Sequence, residues 1–360
     1  MSFQKDQPFN NLPLLPPEAN NWETIGVYKK LADARAALSE LKGRLPVIPN
    51  PLMLINTLVL HEAKDSSTIE NIFTTSDALY KAFSSSDSKV DPATKEVLRY
   101  REALWNGFTK LKNPTDFSLN LAIEIFKTIT AKEEAIRNVQ VYIGNSENVI
   151  YTPPDPGREL SEKLNNLFSP VINNDKIDPL IRMAMFHYQF EAIHPFTDGN
   201  GRTGRILNVL FLCKEKLIDL PVIYLSKYIL QHKNDYYRLL REVTENKNWS
   251  DWTIFMIDAV QQTATFTLSK VNMIYENYLE TIEKVKSKAP DIYVHELIEV
   301  IFNQPYCKIA ILEEKKIASR NTASKYLRRL EELGILASET VGRETLYKNL
   351  ILMKVLSGEK

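Results

Sequence analysis

The sequence predicts a mainly α protein: a helical bundle with one small β-hairpin, preceded by an N-terminal helical region and followed by a winged helix-turn-helix domain. Three observations predict it. Apolar residues recur at helical spacing over most of the chain, as in Ile25, Tyr28, Leu31, Ala34, Leu38 and Leu41. One run, 139–157, switches to β-branched and aromatic residues on either side of a Gly-Asn-Ser-Glu-Asn turn. The last stretch, 291–353, reads as three helices and two strands around Gly342.

Taken in order, residues 1 to about 20 are proline-rich and read as an extended arm. A helix over Glu23–Leu45 ends at the Pro-Asn-Pro run of 49–51, and a second helix spans about Leu52 to His61. Helical spacing returns at 93–111 and 117–131, then at 158–169 and 178–194 after the hairpin. The run ILNVLFLC at 206–213 is apolar almost all round, so its helix belongs in the middle of the bundle. Further helices cover about 226–243 and 249–285, and Ala289-Pro290 marks a boundary. The expected units are 1–100, 101–288 and 289–360. In the last, helices at about 292–303 and 308–317 precede a third opened by Ser319, with Gly334 as its stop.

Composition removes several function classes. The 360 residues carry 45 basic and 45 acidic side chains and no formal net charge, so any nucleic-acid or membrane surface has to be local. The polar start MSFQKDQPFNN lacks the apolar core of a signal peptide, and no segment approaches the roughly 18 apolar residues of a membrane span. Cys213 and Cys307 have no metal-ligand spacing and read as buried, reduced thiols. A soluble, cytoplasmic protein is expected.

The chemistry concentrates in His194–Arg205, HPFTDGNGRTGR. Glycines at 199 and 201 let main-chain N–H groups turn into one concavity, an anion-binding nest. The helix expected from about Arg202 adds its N-terminal amides and dipole to the same spot. Arg202 and Arg205 are three apart and share one face of the first turn, suited to distal phosphates. Asp198 at the lip of the nest has the charge and hardness to hold Mg²⁺. His194 closes the preceding helix and suits a general base for an incoming hydroxyl. Pro195 stops that helix, and Phe196 anchors the loop.

Two rival patterns fail on context. Gly199-x-Gly201-x-x-Gly204 satisfies the dinucleotide fingerprint literally, but a helix precedes it where that fingerprint needs a strand. Glu191-x-x-His194 is half of a di-metal carboxylate site, and the chain has no second half. His187 reads as a packing or surface histidine.

These residues resemble a known family. HPFTDGNGRTGR fits the Fic family signature HxFx(D/E)GNGRxxR at every defined position, and the N-terminal helical region, the flanking segments FEAIHPF and LPVIYLSKYILQHKNDYYRLL, and the winged tail are similar too. The resemblance implies protein adenylylation, in which AMP moves from ATP to a Tyr, Thr or Ser hydroxyl of a target and pyrophosphate leaves. It implies His194 as the general base, Asp198 as the Mg²⁺ ligand, and Asn200 with the adjacent amides as the α-phosphate cradle. Arg202 and Arg205 would hold the β and γ phosphates. The expected ATP-binding set is Gly199, Asn200, Gly201, Arg202, Thr203, Gly204, Arg205, Tyr236 and Tyr237. An intact Gly201, where the phosphorylating branch has lysine, favours nucleotidyl transfer. The hairpin, with Val141, Ile143, Ile150 and Tyr151, corresponds to the target-positioning flap, whose edge can take an extended segment by strand addition.

Ser66-Ser67-Thr68-Ile69-Glu70-Asn71 resembles the family's inhibitory motif (S/T)xxxE(G/N), which singles out Ser66, Glu70 and Asn71. A Glu70 carboxylate on Arg205 would form a bidentate pair and take that guanidinium from the γ-phosphate. Removal of AMP by the same site is the second functional reading. A DNA-binding regulator with the Fic core as nucleotide sensor is the third. The expected partner is a target protein with an acceptor hydroxyl. For the tail, with Arg320, Lys325, Arg328 and Arg329 on its third helix, duplex DNA and a protein surface are both open, as is a homodimer that controls the brake. No membrane partner is expected.

Overall fold

The computed structural model of the chain describes residues 3–85, 90–134, 136–144, 148–169 and 176–357. Its helices begin where side-chain caps and prolines permit. Thr24, with its side chain accepting from Val27 N, opens α1 (Ile25–Arg44). Then come α2 (Leu52–Ile69) and α3 (Ser76–Ser84), the latter capped by Thr75. Asp91 caps α4 (Pro92–Lys110), and Ser118 caps α5 (Leu119–Thr130).

The hairpin follows as β1 (Ile143–Gly144) and β2 (Val149–Tyr151), antiparallel with Ile143 opposite Tyr151. The middle of its expected turn, 145–147, lies outside the described residues. After α6 (Arg158–Leu167), Asp178 and Pro179 start α7 (Pro179–Ile193), in which every residue but Pro179 and Glu191 is buried. The next helix, α8 (Asn200–Lys214), is buried from Arg202 to Leu212 and packs against α7. These two helices are the centre of the bundle, as the apolar run at 206–213 predicts.

The bundle continues with α9 (Leu225–Gln231), α10 (Lys233–Asn246) and the 40-residue α11 (Trp249–Lys288), against which α1 lies. The tail comprises α12 (His295–Asn303), β3 (Tyr306–Cys307), α13 (Ile309–Glu314), α14 (Arg320–Glu332), β4 (Leu336–Val341), β5 (Glu344–Asn349) and α15 (Leu350–Ser357). Its sheet runs β3–β5–β4, all antiparallel, and Gly342 takes the left-handed conformation (φ 59°) at the β4–β5 turn. The third strand is only two residues long and has no period that a sequence could display.

Four expectations on helix limits change. The second helix does not stop near His61 but runs to Ile69. Ser66, Ser67 and Thr68 are weak helix formers that favour caps, yet here Ser66 and Ser67 are buried and Thr68 returns its hydroxyl to Lys64 O at 2.8 Å. The short helices α3 and, at the end of the tail, α15 lie beyond the expected set. The expected helix 226–243 is two helices that break at His232. Finally, α8 starts at Asn200, not Arg202. No helix among the described residues is long and apolar enough to cross a membrane.

The tail sheet rests on α3. Asp77 accepts from Tyr306 Oη at 2.6 Å and from Lys348 Nζ at 3.3 Å, and Lys81 Nζ reaches Glu339 at 2.5 Å. Ser85 donates to Glu344 at 2.9 Å. One face of the wing is thereby occupied by the segment that follows Glu70.

Candidate functional site

The loop between α7 and α8 is shaped by its own sequence. Pro195 cannot continue a helix, and His194 leaves it in the left-handed conformation (φ 51°) with its N–H still on Phe190 O at 3.0 Å. Phe196 is fully buried and stacks on Phe126 at 4.2 Å. Asn200 closes the loop: its Oδ1 accepts from Phe196 N at 2.9 Å and its Nδ2 donates to Phe196 O at 2.8 Å. The Asn200 side chain is therefore a brace. The groups left to face an anion are main-chain amides of the first turn of α8, which Gly199 (φ 69°) turns into place.

His194 lines a cavity of about 570 Å³ together with Glu70, Gly201 and Arg205. Tyr236, Tyr237, Ile143, Ile150 and Tyr151 line the same cavity, whereas Val141 does not. The His194 Nδ1–H points at the Glu191 carbonyl, 3.4 Å away, which leaves Nε2 as the acceptor nitrogen. Burial pushes the imidazole down to about 4, so it is neutral and able to take a proton at neutral pH.

Of the two tyrosines, Tyr236 is buried with its hydroxyl 3.0 Å from His187 Nε2, and Tyr237 is half exposed. His187 itself is fully buried, which decides for packing. Thr203 is fully buried, and Gly204 faces α7: a Cβ on Gly204 would stand 2.7 Å from Glu191 Oε1 and 3.1 Å from Phe190 Cδ1. Asp198 is exposed at the lip, its Oδ1 accepting from Gly199 N at 2.7 Å. Among the described residues no three His, Cys, Asp or Glu side chains cluster to hold a metal. One exposed carboxylate beside an anion nest still fits Mg²⁺, which takes most of its shell from water and phosphate.

Glu70 and Ser66 meet Arg205, which is 1% exposed. Its Nη2 donates to Glu70 Oε1 at 2.8 Å and to Ser66 O at 3.0 Å, and its Nε donates to Ser66 Oγ at 2.8 Å. The expected bidentate carboxylate pair is thus corrected: Glu70 takes one prong and Ser66 supplies the other two acceptors. Burial works against the Glu70 charge, but Arg205 outweighs it and holds the carboxyl below its usual range. Asn71 (φ 61°) completes the end of α2, with Asn71 N on Thr68 O and Ile72 N on Ser67 O, both at 3.0 Å. This Schellman cap is the physical reason for Gly or Asn after the glutamate. Lys233 Nζ also caps α2, at Ile69 O (2.7 Å).

Four residues in or around the site were not singled out for it by the sequence. Arg137, 3% exposed, donates Nε to His194 O at 2.9 Å, Nη1 to Val139 O at 3.1 Å and Nη2 to Pro154 O, tying the hairpin to the motif loop. Glu96 on α4 pairs with Arg202. Glu62 on α2 is buried and accepts from Ser226 N at 3.0 Å, Ser226 Oγ and Tyr100 Oη. Glu191 lines the cavity with its Oε1 buried and unpartnered, and burial pushes its carboxyl up to about 7. Each acquires its meaning only across a long-range contact. For Glu191, the rejected metal pattern was the one cue that pointed to it.

Comparison with known proteins agrees with this geometry. Residues 28–109 match the Fic/DOC family N-terminal region, 115–212 match the Fic/DOC family, and 278–352 match the C-terminal domain of SoFic-like protein adenylyltransferases. Among curated relatives, the protein adenylyltransferase Fic of Aedes aegypti is 30% identical over 186 residues, covering 49% of this chain and 34% of that protein. A probable protein adenylyltransferase of Aquifex aeolicus is 39% identical over 83 residues, 22% of this chain and 24% of that one. The chain spans about a third of the length of the first curated relatives it matches. In fold, it is similar to a Fic family protein from Desulfovibrio desulfuricans, with TM-score 0.58, 20% identity, and coverage of 91% of this chain and 96% of that one. With these three consecutive matches spread over most of its length, and the motif loop seated at the N-terminus of α8, the chain belongs to the Fic/DOC family.

Proposed function

We propose that the protein is an adenylyltransferase that moves AMP from ATP to a Tyr, Thr or Ser hydroxyl of a target protein, and that Glu70 holds it at rest. The observation that carries this reading is the single cavity that joins a neutral His194 to the anion-binding start of α8 and to Arg205. In the reaction, the target hydroxyl oxygen bonds to the α-phosphorus, the bond from that phosphorus to the β-phosphate bridging oxygen breaks, and pyrophosphate leaves. His194 Nε2 takes the hydroxyl proton. The amides of Asn200 and Gly201 hold the α-phosphate, and Arg202 and Arg205 hold the β and γ phosphates. Tyr237 offers its exposed ring to the base. Asp198 would hold Mg²⁺, which supplies charge neutralisation on the phosphate oxygens. The hairpin, anchored by Arg137, takes an extended target segment and sets its hydroxyl against His194.

Glu70 and His194 line the same cavity, which supports a second reading: hydrolytic removal of AMP from a modified target. For the tail, docking of the wing sheet on α3 favours a protein-interaction role over DNA binding. Retention of the full chain on duplex DNA that falls steeply with salt would reverse that preference.

Intact mass spectrometry of wild type, Glu70→Gly and Glu70→Gly/His194→Ala after incubation with ATP and Mg²⁺ tests the main reading. One or more AMP units on Glu70→Gly, absent from the double variant, is the expected result. No added mass on Glu70→Gly or on proteins incubated with it would refute transfer.

A further inference from the structure

Two carboxylates from the N-terminal half reach the two arginines of the nest, and they arrive differently. Glu70 ends α2, and its Oε1 lies 2.4 Å from the point where a Cβ on Gly201 would stand. It therefore fills the space over the first turn of α8. Glu96 comes from α4 and takes only Nη1 of Arg202. Neither Glu96 nor Arg202 lines the cavity, so this pair lies beside it, at the Gly199–Asp198 edge of the nest. Arg202 is 3% exposed, and its Nε is buried with no hydrogen-bond partner. Its Nη2 stands 3.7 Å from Asp198 Oδ1 and 3.7 Å from a Cβ built on Gly199, on the side of the nest.

We infer that Glu96 is a positioning residue: it grips Arg202 by Nη1 so that Nη2 stays on the side of the nest, where the triphosphate would lie. The inference rests on the adenylyltransferase reading for the identity of the anion. Glu96 neutralises a buried guanidinium from behind, and a buried guanidinium stripped of its counter-charge must find another. The nearest other carboxylate is Asp198, so without Glu96 the guanidinium swings onto the lip of the nest, and both groups are withdrawn from the phosphates. The two carboxylates thus have opposite effects. Glu70 occupies the phosphate seat and must leave, whereas Glu96 stays and the seat depends on it.

The test is calorimetric binding of ATP and of AMP to Glu70→Gly and to the same protein carrying Glu96→Ala or Glu96→Gln. AMP lacks the β and γ phosphates that Arg202 would hold, so it controls for a general structural effect. Glu96→Ala is expected to weaken ATP about tenfold and AMP less than twofold. Glu96→Gln keeps an oxygen for Nη1 and should recover part of the loss. Equal weakening of ATP and AMP, tighter ATP binding, or no change overturns the inference, with thermal melts confirming that each variant is folded. Binding is read without turnover, so an intact ATP–AMP contrast without AMP transfer would retire the activity reading and leave this one standing. Absence of any ATP binding by Glu70→Gly would overturn both.

Discussion

Glu70 Oε1 lies 2.8 Å from Arg205 Nη2 and in the space that a single methyl group on Gly201 would need. On the proposed reading, Glu70 would oppose a phosphate both electrostatically and sterically. A hydrogen bond between charged groups contributes about 1.5–3 kcal/mol, so Glu70→Gly is expected to raise AMP incorporation by roughly tenfold to hundredfold. Radiolabel from ATP, counted on wild type and variant, checks it. Equal incorporation would show that Glu70 is not a brake.

Gly201→Ala would act on both sides of that contact at once. The new Cβ would collide with Glu70 Oε1 at 2.4 Å and with Arg205 Nη1 at 2.9 Å, so it displaces the brake and spoils the seat together. The expected outcome is loss of transfer, also in the Glu70→Gly background, in the same label assay.

The depressed His194 imidazole sets the pH dependence. Burial holds it at about 4, so its accepting form dominates from pH 5 upward. The acid limb of kcat/KM for Glu70→Gly should therefore fall below the usual imidazole value of ~6.5, with a flat profile between pH 6 and 8. A half-maximal point near 6.5 would contradict the burial argument. His194→Ala should abolish transfer at every pH.

Glu62 ties α2 to Ser226 and Tyr100, and burial pushes its carboxyl up to about 7 from an ordinary 4.5. Between those values the folded protein keeps a proton that the unfolded chain has released. The Glu62 contribution to stability is therefore most favourable below 4.5 and declines as pH rises through 7. Urea melts at pH 5 and pH 7 should show wild type losing up to about 3 kcal/mol relative to Glu62→Gln over that interval. Parallel curves would remove Glu62 as the cause.

Asp77→Ala should release the tail sheet from α3, because it removes the acceptor for both Tyr306 and Lys348. Faster amide exchange confined to α3 and β3–β5 is the expected readout. Exchange unchanged there would mean that the sheet is held by other contacts.

Much of the catalytic loop was legible because its chemistry is local. Twelve consecutive residues carry a helix stop, a nest and a helix start, and Ser66-x-x-x-Glu70-Asn71 keeps acceptor, carboxylate and left-handed cap within one and a half turns. The residues that brace this loop were not legible. Arg137, Glu62 and Glu96 each have a partner more than thirty positions away, along no period and in no motif. The polar run 65–68 misled for a related reason, since only the packed structure shows Ser66 and Ser67 turned inward. Asn200 was assigned to the phosphate although its side chain is spent on Phe196, a distinction that residue type alone does not make.

Every acceptor of the Arg137 guanidinium is a main-chain oxygen, on Val139, Pro154, Ile193 and His194. Side chains along the hairpin can therefore be exchanged without loosening the joint that ties it to the α7–α8 corner. The side chains that the hairpin presents and the place where it presents them are separable properties of this fold. If the hairpin holds a target segment as proposed, specificity would drift by substitution on the strands while the distance from the held hydroxyl to the imidazole stays inherited from one arginine.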